Sequence, residues 1–553
     1  MINLTQILAV VGAFTITTVE ILGDENSTVS STNPLVVKGY RFFDSVTGDY
    51  FAFRGVNYYP RPNAGSLDVN SFDFFTSNYR HIWERDLPRF TALGANSIRL
   101  YAVDPTQDHD AFMCALQAEG IHVMVELGSS CAGCEITANK APECYPASYK
   151  ERGEKIIQAF AKYDNVIGFS GGNEINHRVG SNGPEWNAPC QKKFIRDMRA
   201  YMKSCASMRQ VPVGVVMADT NRKENAQYYN CRTDPSDELE NVEWYGLNVY
   251  IQCENISDPR LAAGMNNLVQ DLTNLQYSVP LILTEFGCVS PAFPTVNGYE
   301  AQRTHHDAKF MNTAPYSKIL GGGFVFEYNT EMANARSTSP YPFTKFGPQN
   351  YGLGYFSPAD CNDVDIPCIF NEMPNFKFLA DAYASRDTSS EPNFDSFTIE
   401  PARQKTSECP TAFPKLNAFT WAGDAAASIQ CPSVTRLQCP NASPNKLATK
   451  LSTDAPSSSE NSSMSQSSEV SDSESREGMG SSLENDLTGG PEQNIRSEEK
   501  SSDCGSLALC GGSNGKDEVV TETAKLQAGN ANSVGGKSFT VTCAILVFTL
   551  WAI

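Results

Sequence analysis

Residues 166–174 read Val166-Ile167-Gly168-Phe169-Ser170-Gly171-Gly172-Asn173-Glu174. An apolar, β-branched run that ends in glycines and an Asn-Glu pair predicts a buried strand with a carboxylic acid at its C-terminal end. The segment Pro280-Leu281-Ile282-Leu283-Thr284-Glu285-Phe286-Gly287 repeats this pattern farther along the chain. A single glutamate in this position is usually a loop residue or a surface ion-pair partner. Two glutamates in matching contexts are what glycosidic-bond chemistry requires, since one acid protonates the leaving oxygen while the other attacks or stabilises the anomeric carbon.

Both stretches belong to a regular alternation of strand and helix patterns. Apolar strand segments lie near residues 50–59, 95–101, 121–127, 166–174, 211–217, 244–250, 280–287 and 323–328. Helical spacing occurs near residues 81–93, 110–118, 149–163, 190–205, 261–276 and 300–312. Such alternation implies a parallel sheet, and eight strand-helix units close most economically into a (β/α)8 TIM barrel of the α/β class. A doubly wound open sheet is the alternative, but no Gly-rich phosphate loop follows the first strand.

A barrel brings the C-terminal ends of all its strands to one mouth. The residues predicted to converge there are Tyr101, Glu126, Asn173, Glu174, Tyr250, Glu285 and Tyr328. The chain of 553 residues, 41% of them hydrophobic, is long enough to build such a core. Residues 35–385 are therefore expected to form a (β/α)8 catalytic domain with a single site.

Both ends of the chain carry targeting patterns. An apolar segment from Ile7 to Ile16 predicts a signal peptide over residues 1–23, and no Lys or Arg precedes it. Residues 539–553 are hydrophobic and follow a polar spacer and the small residues at 529–531, which predicts a GPI-attachment signal whose tail is removed. The mature protein would then be secreted and held at the cell surface by a lipid anchor, without a transmembrane helix.

The segments after the predicted barrel differ in composition. Residues 386–450 contain three cysteines and are expected to form a short Cys-containing extension or a stapled linker. Residues 451–538 are rich in Ser, Glu and Gly with few aromatic residues, which predicts a disordered stalk. The total of 17 cysteines would be unusual for a cytosolic enzyme and is ordinary for a secreted one.

Charge and the remaining motifs narrow the class of protein. The net charge of -20 argues against nucleic acid or an anionic membrane surface as a partner. The 6 histidines show no metal-ligand spacing. Cys131-Ala132-Gly133-Cys134 favours a disulfide over zinc because no second pair matches it. We expect no metal and no cofactor, and we expect a monomer.

Five motifs resemble those of one enzyme family. They are Gly55-Val56-Asn57-Tyr58-Tyr59-Pro60, Asn96-Ser97-Ile98-Arg99-Leu100-Tyr101-Ala102-Val103-Asp104, Gly172-Asn173-Glu174, Tyr245-Gly246-Leu247-Asn248-Val249-Tyr250 and Thr284-Glu285-Phe286-Gly287-Cys288. Together they resemble the glycoside hydrolase family 72 β-1,3-glucanosyltransferases, which are GPI-anchored enzymes that remodel cell walls and have a (β/α)8 fold. The resemblance covers about residues 35–385, in the family's motif order.

The resemblance implies a retaining transglycosylation between β-1,3-glucan donor and acceptor chains. Glu285 would be the nucleophile, and Glu174 would be the acid that protonates the departing oxygen and later the base that activates an incoming sugar hydroxyl. A retaining pair places its carboxyl groups ~5 Å apart. The alternatives are an endo-β-1,3-glucanase with the same site and a catalytically silent, GPI-anchored glucan-binding wall protein.

Neighbouring residues have chemistry that suits this site. Asn173 can hydrogen-bond a sugar 2-hydroxyl, and Tyr250 can donate to the nucleophile carboxylate. Tyr101 and Tyr328 offer faces and hydroxyls to sugar rings, although core packing is an equal alternative. Arg99 is expected to form an ion pair with a site carboxylate rather than to touch substrate.

Two departures from the family affect substrate contacts. Tyr59 and Glu126 stand where family members commonly have Gln and Asp, so their expected contacts with the sugar chain differ from the family's. The three cysteines of residues 386–450 are too few for a complete cysteine-rich carbohydrate-binding module. The disulfide pairings that the resemblance implies are Cys253 with Cys288, and Cys231 with Cys361 or Cys368.

Overall fold

The described part of the chain begins with a small antiparallel sheet. The computed structural model describes residues 32–129 and 133–440. The sheet contains β1 (Leu35–Lys38), β2 (Arg41–Asp44) and β3 (Tyr50–Phe51). The predicted signal peptide, stalk and hydrophobic tail lie outside the described residues and stay predictions.

Eight parallel strands then close into a barrel, which confirms the predicted fold. The strands are β4 (Phe53–Asn57), β5 (Ser97–Leu100), β6 (His122–Glu126), β7 (Val166–Asn173), β8 (Val213–Ala218), β9 (Tyr245–Asn248), β10 (Leu281–Phe286) and β11 (Leu320–Val325). They lie in chain order around the barrel, and β11 pairs with β4 to complete the circle. A hairpin of β12 (Gly354–Ser357) and β13 (Ile369–Glu372) follows.

Helices connect most of the strands. They are α1 (Arg80–Leu93), α2 (Asp110–Ala118), α3 (Ala147–Phe160), α4 (Ala188–Ser204), α5 (Arg222–Asn230), α6 (Ala263–Asn274), α7 (His306–Met311), α8 (Met332–Ala335) and α9 (Pro374–Ala384). The sequence prediction missed α5, because this polar helix buries asparagines and tyrosines instead of a periodic aliphatic stripe. The helix predicted at 300–312 is shorter than expected, since the Glu300 carboxylate accepts the Phe346 N–H and holds the start of that segment as a loop. Among the described residues, no helix has both the length and the apolar character needed to cross a membrane.

The end of the barrel opposite the mouth is filled with apolar side chains. This cluster contains Leu35, Phe42, Phe53, Met124, Ile167, Val216, Trp244, Ile282 and Phe324. Leu35 and Phe42 come from the antiparallel sheet, which therefore covers the barrel floor. A Cβ at Gly55 would overlap the Phe324 ring, and one at Gly214 would overlap the Trp244 ring, so only glycine leaves room for these aromatic side chains. The polar residues of the barrel interior are thereby confined to the mouth.

Disulfides fasten the chain after the barrel to the barrel's helices. The bonds are Cys114–Cys439, Cys205–Cys431 and Cys231–Cys409. The Phe413 ring also stacks on Tyr228 at 4.0 Å, and Lys150 Nζ donates to the carbonyl oxygen of Ala426 at 2.7 Å. Residues 386–440 thus form an ordered strap over the outside of the barrel.

The disulfide pairings expected from the sequence are partly confirmed. Cys253 bonds to Cys288 as predicted. The pairing of Cys231 with Cys361 or Cys368 is wrong, because those two cysteines bond to each other and Cys231 bonds to the strap. Cys134 is disulfide-bonded, whereas Cys131 lies outside the described residues.

Removal of one strap disulfide is expected to destabilise the fold more than removal of a local one. With Cys205–Cys431 intact, the Cys231–Cys409 bond closes a loop of roughly 50 residues, so the paired Cys→Ala substitution should lower the free energy of unfolding by about 4 kcal/mol. The Cys361–Cys368 bond spans a sequence separation of 7, and its removal should cost about 2.5 kcal/mol. Denaturant unfolding of both double variants measures the difference. Equal losses would contradict the strap's stabilising role.

Candidate active site

Glu285 lies near the C-terminal end of β10 and faces three hydrogen-bond donors. Its Oε1 accepts from Tyr101 Oη at 2.8 Å and from Arg99 Nη1 at 3.1 Å. Its Oε2 accepts from Tyr250 Oη at 2.6 Å. The side chain is buried, and its carboxylate is held in one orientation with negative charge facing an arginine.

Glu174 follows β7 directly and is half-buried. Its backbone adopts φ 51°, a left-handed conformation that is uncommon for a residue with a side chain. Asn248 Nδ2 donates to its Oε1 at 2.8 Å. Burial, followed by the charge of Glu285, raises the pKa of Glu174 to about 8. Glu174 is therefore a protonated acid near neutral pH.

A buried polar network joins the two glutamates. Arg99 Nη2 donates to Asn173 Oδ1 at 2.9 Å, and Asn248 Nδ2 donates to the same oxygen at 3.1 Å. Thr284 Oγ1 donates to Asn248 Oδ1 at 2.8 Å, which fixes the orientation of that amide. The side-chain oxygen Oδ1 of Asn173 already accepts two hydrogen bonds. The N–H groups of its side-chain amide are therefore the ones available to a ligand.

The structure brings together most of the residues predicted from strand ends, and it places Tyr101 against Arg99 and Glu285. Arg99 is fully buried and ion-paired with Glu285, as expected. The Tyr101 ring lies 4.4 Å from the Arg99 guanidinium carbon, and its hydroxyl is bound to Glu285. Burial, with the Glu285 charge, raises the pKa of Tyr101 and of Tyr250 well above the usual value, so both hydroxyls remain donors. The Tyr101 hydroxyl therefore helps to orient the Glu285 carboxylate, and the predicted contact of its ring with a sugar stays a prediction.

Tyr328 and Tyr59 do not reach this network, and their predicted substrate contacts stay predictions. Tyr328 Oη donates to Asp86 in α1 at 2.9 Å, and its ring stacks on Phe370 at 4.5 Å. Tyr59 Oη donates to the Val69 carbonyl oxygen and accepts the Phe72 N–H, so it holds the loop that follows β4. Both side chains are buried between the barrel and its surrounding layer, where an aromatic ring gains more from packing than at an open mouth.

Glu126 lies at the end of β6 on the other side of Arg99. Its Oε2 is 3.5 Å from Arg99 Nη2, while its buried Oε1 has no hydrogen-bond partner among the described residues. Burial raises the pKa of Glu126. Together with Asn173 and Arg178, Glu126 lines a small pocket of about 10 Å³, which is room for about one water molecule. Asn173 and Ile175, which flank Glu174 in the chain, both line it.

Sequence reasoning missed Asn248 and Glu327. Asn248 lies within a quoted motif, but an asparagine at a strand end gives no sign of which carboxyl it will meet. Glu327 follows β11 and is 6% exposed near the nucleophile. Within residues 32–129 and 133–440, no group of three or more His, Cys, Asp or Glu side chains could hold a metal ion.

Activity is expected to fall on the alkaline side as Glu174 loses its proton. Because the acid form must protonate the leaving oxygen, kcat/KM should fall about tenfold per pH unit above about 8. The hydrogen bond from Asn248 favours the charged form of Glu174, so Asn248→Ala should move this limb to higher pH. A pH profile of kcat/KM for both proteins checks the shift. If kcat/KM falls at the same alkaline pH in wild type and in Asn248→Ala, the assigned role of Asn248 is contradicted.

The fold and the mouth together define a class of protein. A closed (β/α)8 barrel whose mouth holds one carboxylate under three donors and a second carboxyl with a raised pKa is the arrangement of enzymes that act on glycosidic bonds through two carboxylic acids.

Comparisons with known proteins identify the family within this class. The sequence model of glycoside hydrolase family 72, described as glucanosyltransferase, matches residues 25–336, and the chain belongs to this family. Over 316 residues the chain is 33% identical to the 1,3-beta-glucanosyltransferase GAS5 of Saccharomyces cerevisiae, covering 56% of this chain and 58% of that protein. It is also 32% identical over 304 residues to gas4 of Schizosaccharomyces pombe, another 1,3-beta-glucanosyltransferase. This match covers 55% of this chain and 61% of gas4.

The matched part therefore spans about three fifths of the length of these curated relatives. Among solved structures, a mutant of Saccharomyces cerevisiae Gas2p in complex with laminaritetraose and laminaripentaose superposes with a TM-score of 0.52. The sequence identity is 23%, and the match covers 70% of this chain and 75% of Gas2p. At this identity the likeness shows the barrel fold alone.

Proposed function

We propose that the protein is a retaining β-1,3-glucanosyltransferase that cleaves an internal linkage of a β-1,3-glucan and transfers the new reducing end to another glucan chain. The observation that carries this proposal is the Glu174/Glu285 pair, joined by the Arg99, Asn173 and Asn248 network, in a chain of family 72. The names of the 1,3-beta-glucanosyltransferase relatives support the choice of linkage.

In the first half of the proposed reaction, a Glu285 oxygen attacks the anomeric carbon while Glu174 donates its proton to the departing glycosidic oxygen. The C–O bond to the leaving chain breaks, and a covalent glucosyl ester forms on Glu285. Arg99, Tyr101 and Tyr250 keep the attacking carboxylate oriented. The free N–H of Asn173 donates to the 2-hydroxyl, a contact that strengthens as positive charge develops on the ring.

In the second half, Glu174 is ionised and removes the proton of an acceptor 3-hydroxyl. The acceptor oxygen attacks the same carbon, the ester breaks, and Glu285 leaves as a carboxylate. Two displacements restore the β configuration.

Mass-resolved product analysis on a reduced laminari-oligosaccharide tests the proposal. Transfer gives products both longer and shorter than the donor, and the Glu174→Gln variant should give neither. Shorter products with free reducing ends alone would indicate an endo-β-1,3-glucanase. Binding without turnover would indicate a glucan-binding wall protein.

We further propose that the protein acts outside the cell, as a GPI-anchored monomer facing the cell wall. The disulfides support an oxidising compartment, and the terminal sequence patterns support the anchor. The net charge of -20 argues against nucleic acid as a partner. Release of the protein from cells by a phosphatidylinositol-specific phospholipase tests the anchor directly.

A further inference from the structure

A third glutamate lies beside the nucleophile. Glu327 follows β11, the neighbour of β10 in the barrel, and Val325 pairs with Phe286 in the ladder that joins them. The Phe326 N–H donates to the Phe286 carbonyl oxygen at 2.9 Å, so the chain passes alongside Glu285 just before it reaches Glu327. Backbone bonds to Tyr351 at 3.1 Å and from Leu353 at 3.0 Å fix the position of Glu327.

The Glu327 side chain forms no ion pair or side-chain hydrogen bond with another described residue. The residue is 6% exposed, but its carboxyl oxygens are not among the fully buried polar atoms that lack a partner. By contrast, Glu285 accepts three hydrogen bonds, and Glu331 lies 3.5 Å from Arg61 Nη1 and accepts from Asn334. A carboxyl beside the Glu285 strand that forms no ion pair with the described residues is available to hydrogen-bond a group that arrives with the ligand.

The nearby arginines are already committed to other groups. Arg303 donates to the backbone carbonyl oxygens of Gly287, Phe326, Tyr351 and Gly352. Arg61 donates to Asp68 at 2.6 Å and to Asn70 at 2.7 Å. Neither arginine neutralises Glu327.

Two acids near Glu327 favour its neutral form, and two phenols lie near it as well. The acids are Glu331 and Glu285, and the phenols are Tyr101 and Tyr351. Burial, followed by the charges of Glu331 and Glu285, raises the pKa of Glu327 well above its ordinary value. A neutral carboxylic acid has one O–H donor and one carbonyl acceptor, which match a sugar hydroxyl.

We propose that Glu327 is a further substrate-binding residue of this site, and that it hydrogen-bonds a hydroxyl of the glucosyl ring held against Glu285. This inference rests on the proposed function. In a β-1,3-glucan that ring uses O1 at the cleaved bond and O3 at the next linkage, and the proposed contact with Asn173 takes the 2-hydroxyl. The 4- and 6-hydroxyls remain, and Glu327 binds one of them.

A substrate-deletion cycle tests this assignment. The donors are an aryl β-laminaribioside and its 4-deoxy and 6-deoxy analogues in the reactive ring, each assayed with wild type, Glu327→Ala and Glu327→Gln. Glu327→Ala should lower kcat/KM on the parent donor roughly 10- to 100-fold, whereas Glu327→Gln, whose amide can also donate, should stay within about threefold. With wild type, kcat/KM for one of the two deoxy analogues should be lower than for the parent donor by a similar factor. With Glu327→Ala, kcat/KM for that analogue and for the parent donor should be equal. Glu84→Gln, which removes an acid of α1 that pairs with Arg80, serves as the control for loss of an acid and should keep this pattern unchanged.

Thermal unfolding separates binding from a structural role. Glu327→Ala removes a carboxyl that forms no ion pair with the described residues, so its Tm should stay close to that of wild type while its activity falls. A lowered Tm, or equal sensitivity of wild type and Glu327→Ala to both deoxy analogues, would overturn the assignment. If wild type binds the parent donor without turnover, the proposed function fails, and the same cycle measured on Kd still decides the role of Glu327.

Discussion

Glu285→Ala should lower kcat/KM on β-1,3-glucan oligosaccharides on the order of 10⁴-fold. The substitution removes the atom that forms the covalent bond while Arg99, Tyr101 and Tyr250 remain in place. Added azide can enter the vacated space and attack from the nucleophile's face. With an activated aryl donor, this single displacement should restore turnover and give an α-glycosyl azide.

The matched control for this prediction is Tyr250→Phe. It keeps the nucleophile but removes the donor at 2.6 Å from Oε2, so it should lose about 10²-fold and show no azide rescue. Glu285→Ala activity within tenfold of wild type would show that another group is the nucleophile. Formation of a β-glycosyl azide would show that azide attacks from the side of the ring opposite to the one expected for the nucleophile, and would contradict the role of Glu285.

Glu174→Gln should lower turnover of natural glucan oligosaccharides roughly 10³-fold, because the amide cannot protonate the departing oxygen. A donor with an acidic phenol as its leaving group needs no protonation, so its first step should survive. The covalent intermediate should then accumulate as a burst of phenol. The alkaline limb that Glu174 imposes near pH 8 should disappear from the profile of that burst.

Asn248→Ala is the control for the acid, since it removes the hydrogen bond to Glu174 but keeps the carboxyl. It should shift the alkaline limb without producing a phenol burst. Equal losses of Glu174→Gln on natural and activated donors would contradict the acid role. An unchanged alkaline limb in Glu174→Gln would assign that titration to another group.

Sequence pattern was sufficient for the barrel and for the two acids. Eight apolar runs at regular spacing leave few alternatives to a closed parallel sheet, and Glu174 and Glu285 each end such a run. Parallel strands in a barrel place these ends at one mouth, so convergence followed from the fold alone. Tyr250 and Arg99 lie within hydrogen-bond distance of Glu285 because their strands also end at this mouth.

What the pattern could not predict is the direction of a side chain after a strand ends. Tyr328 turns outward to Asp86, although nothing in its neighbours distinguishes it from a residue that faces the mouth. Glu327, one position earlier, is the residue that lies near the nucleophile. The predicted partner of Cys231 was also wrong. Its actual partner, Cys409, lies in the strap at a sequence separation of 178, which sequence pattern alone does not reveal.

Trapping of the covalent intermediate tests the central claim most directly. An activated laminaribioside with fluorine at C2 of the reactive ring slows both displacements, and its acidic leaving group preserves the first step relative to the second. Peptide mass mapping should then find one added 2-fluoro-glycosyl group, attached to Glu285 and absent from the Glu285→Gln variant. A label on any other carboxylate, or steady turnover of the donor with no covalent adduct, would contradict the account.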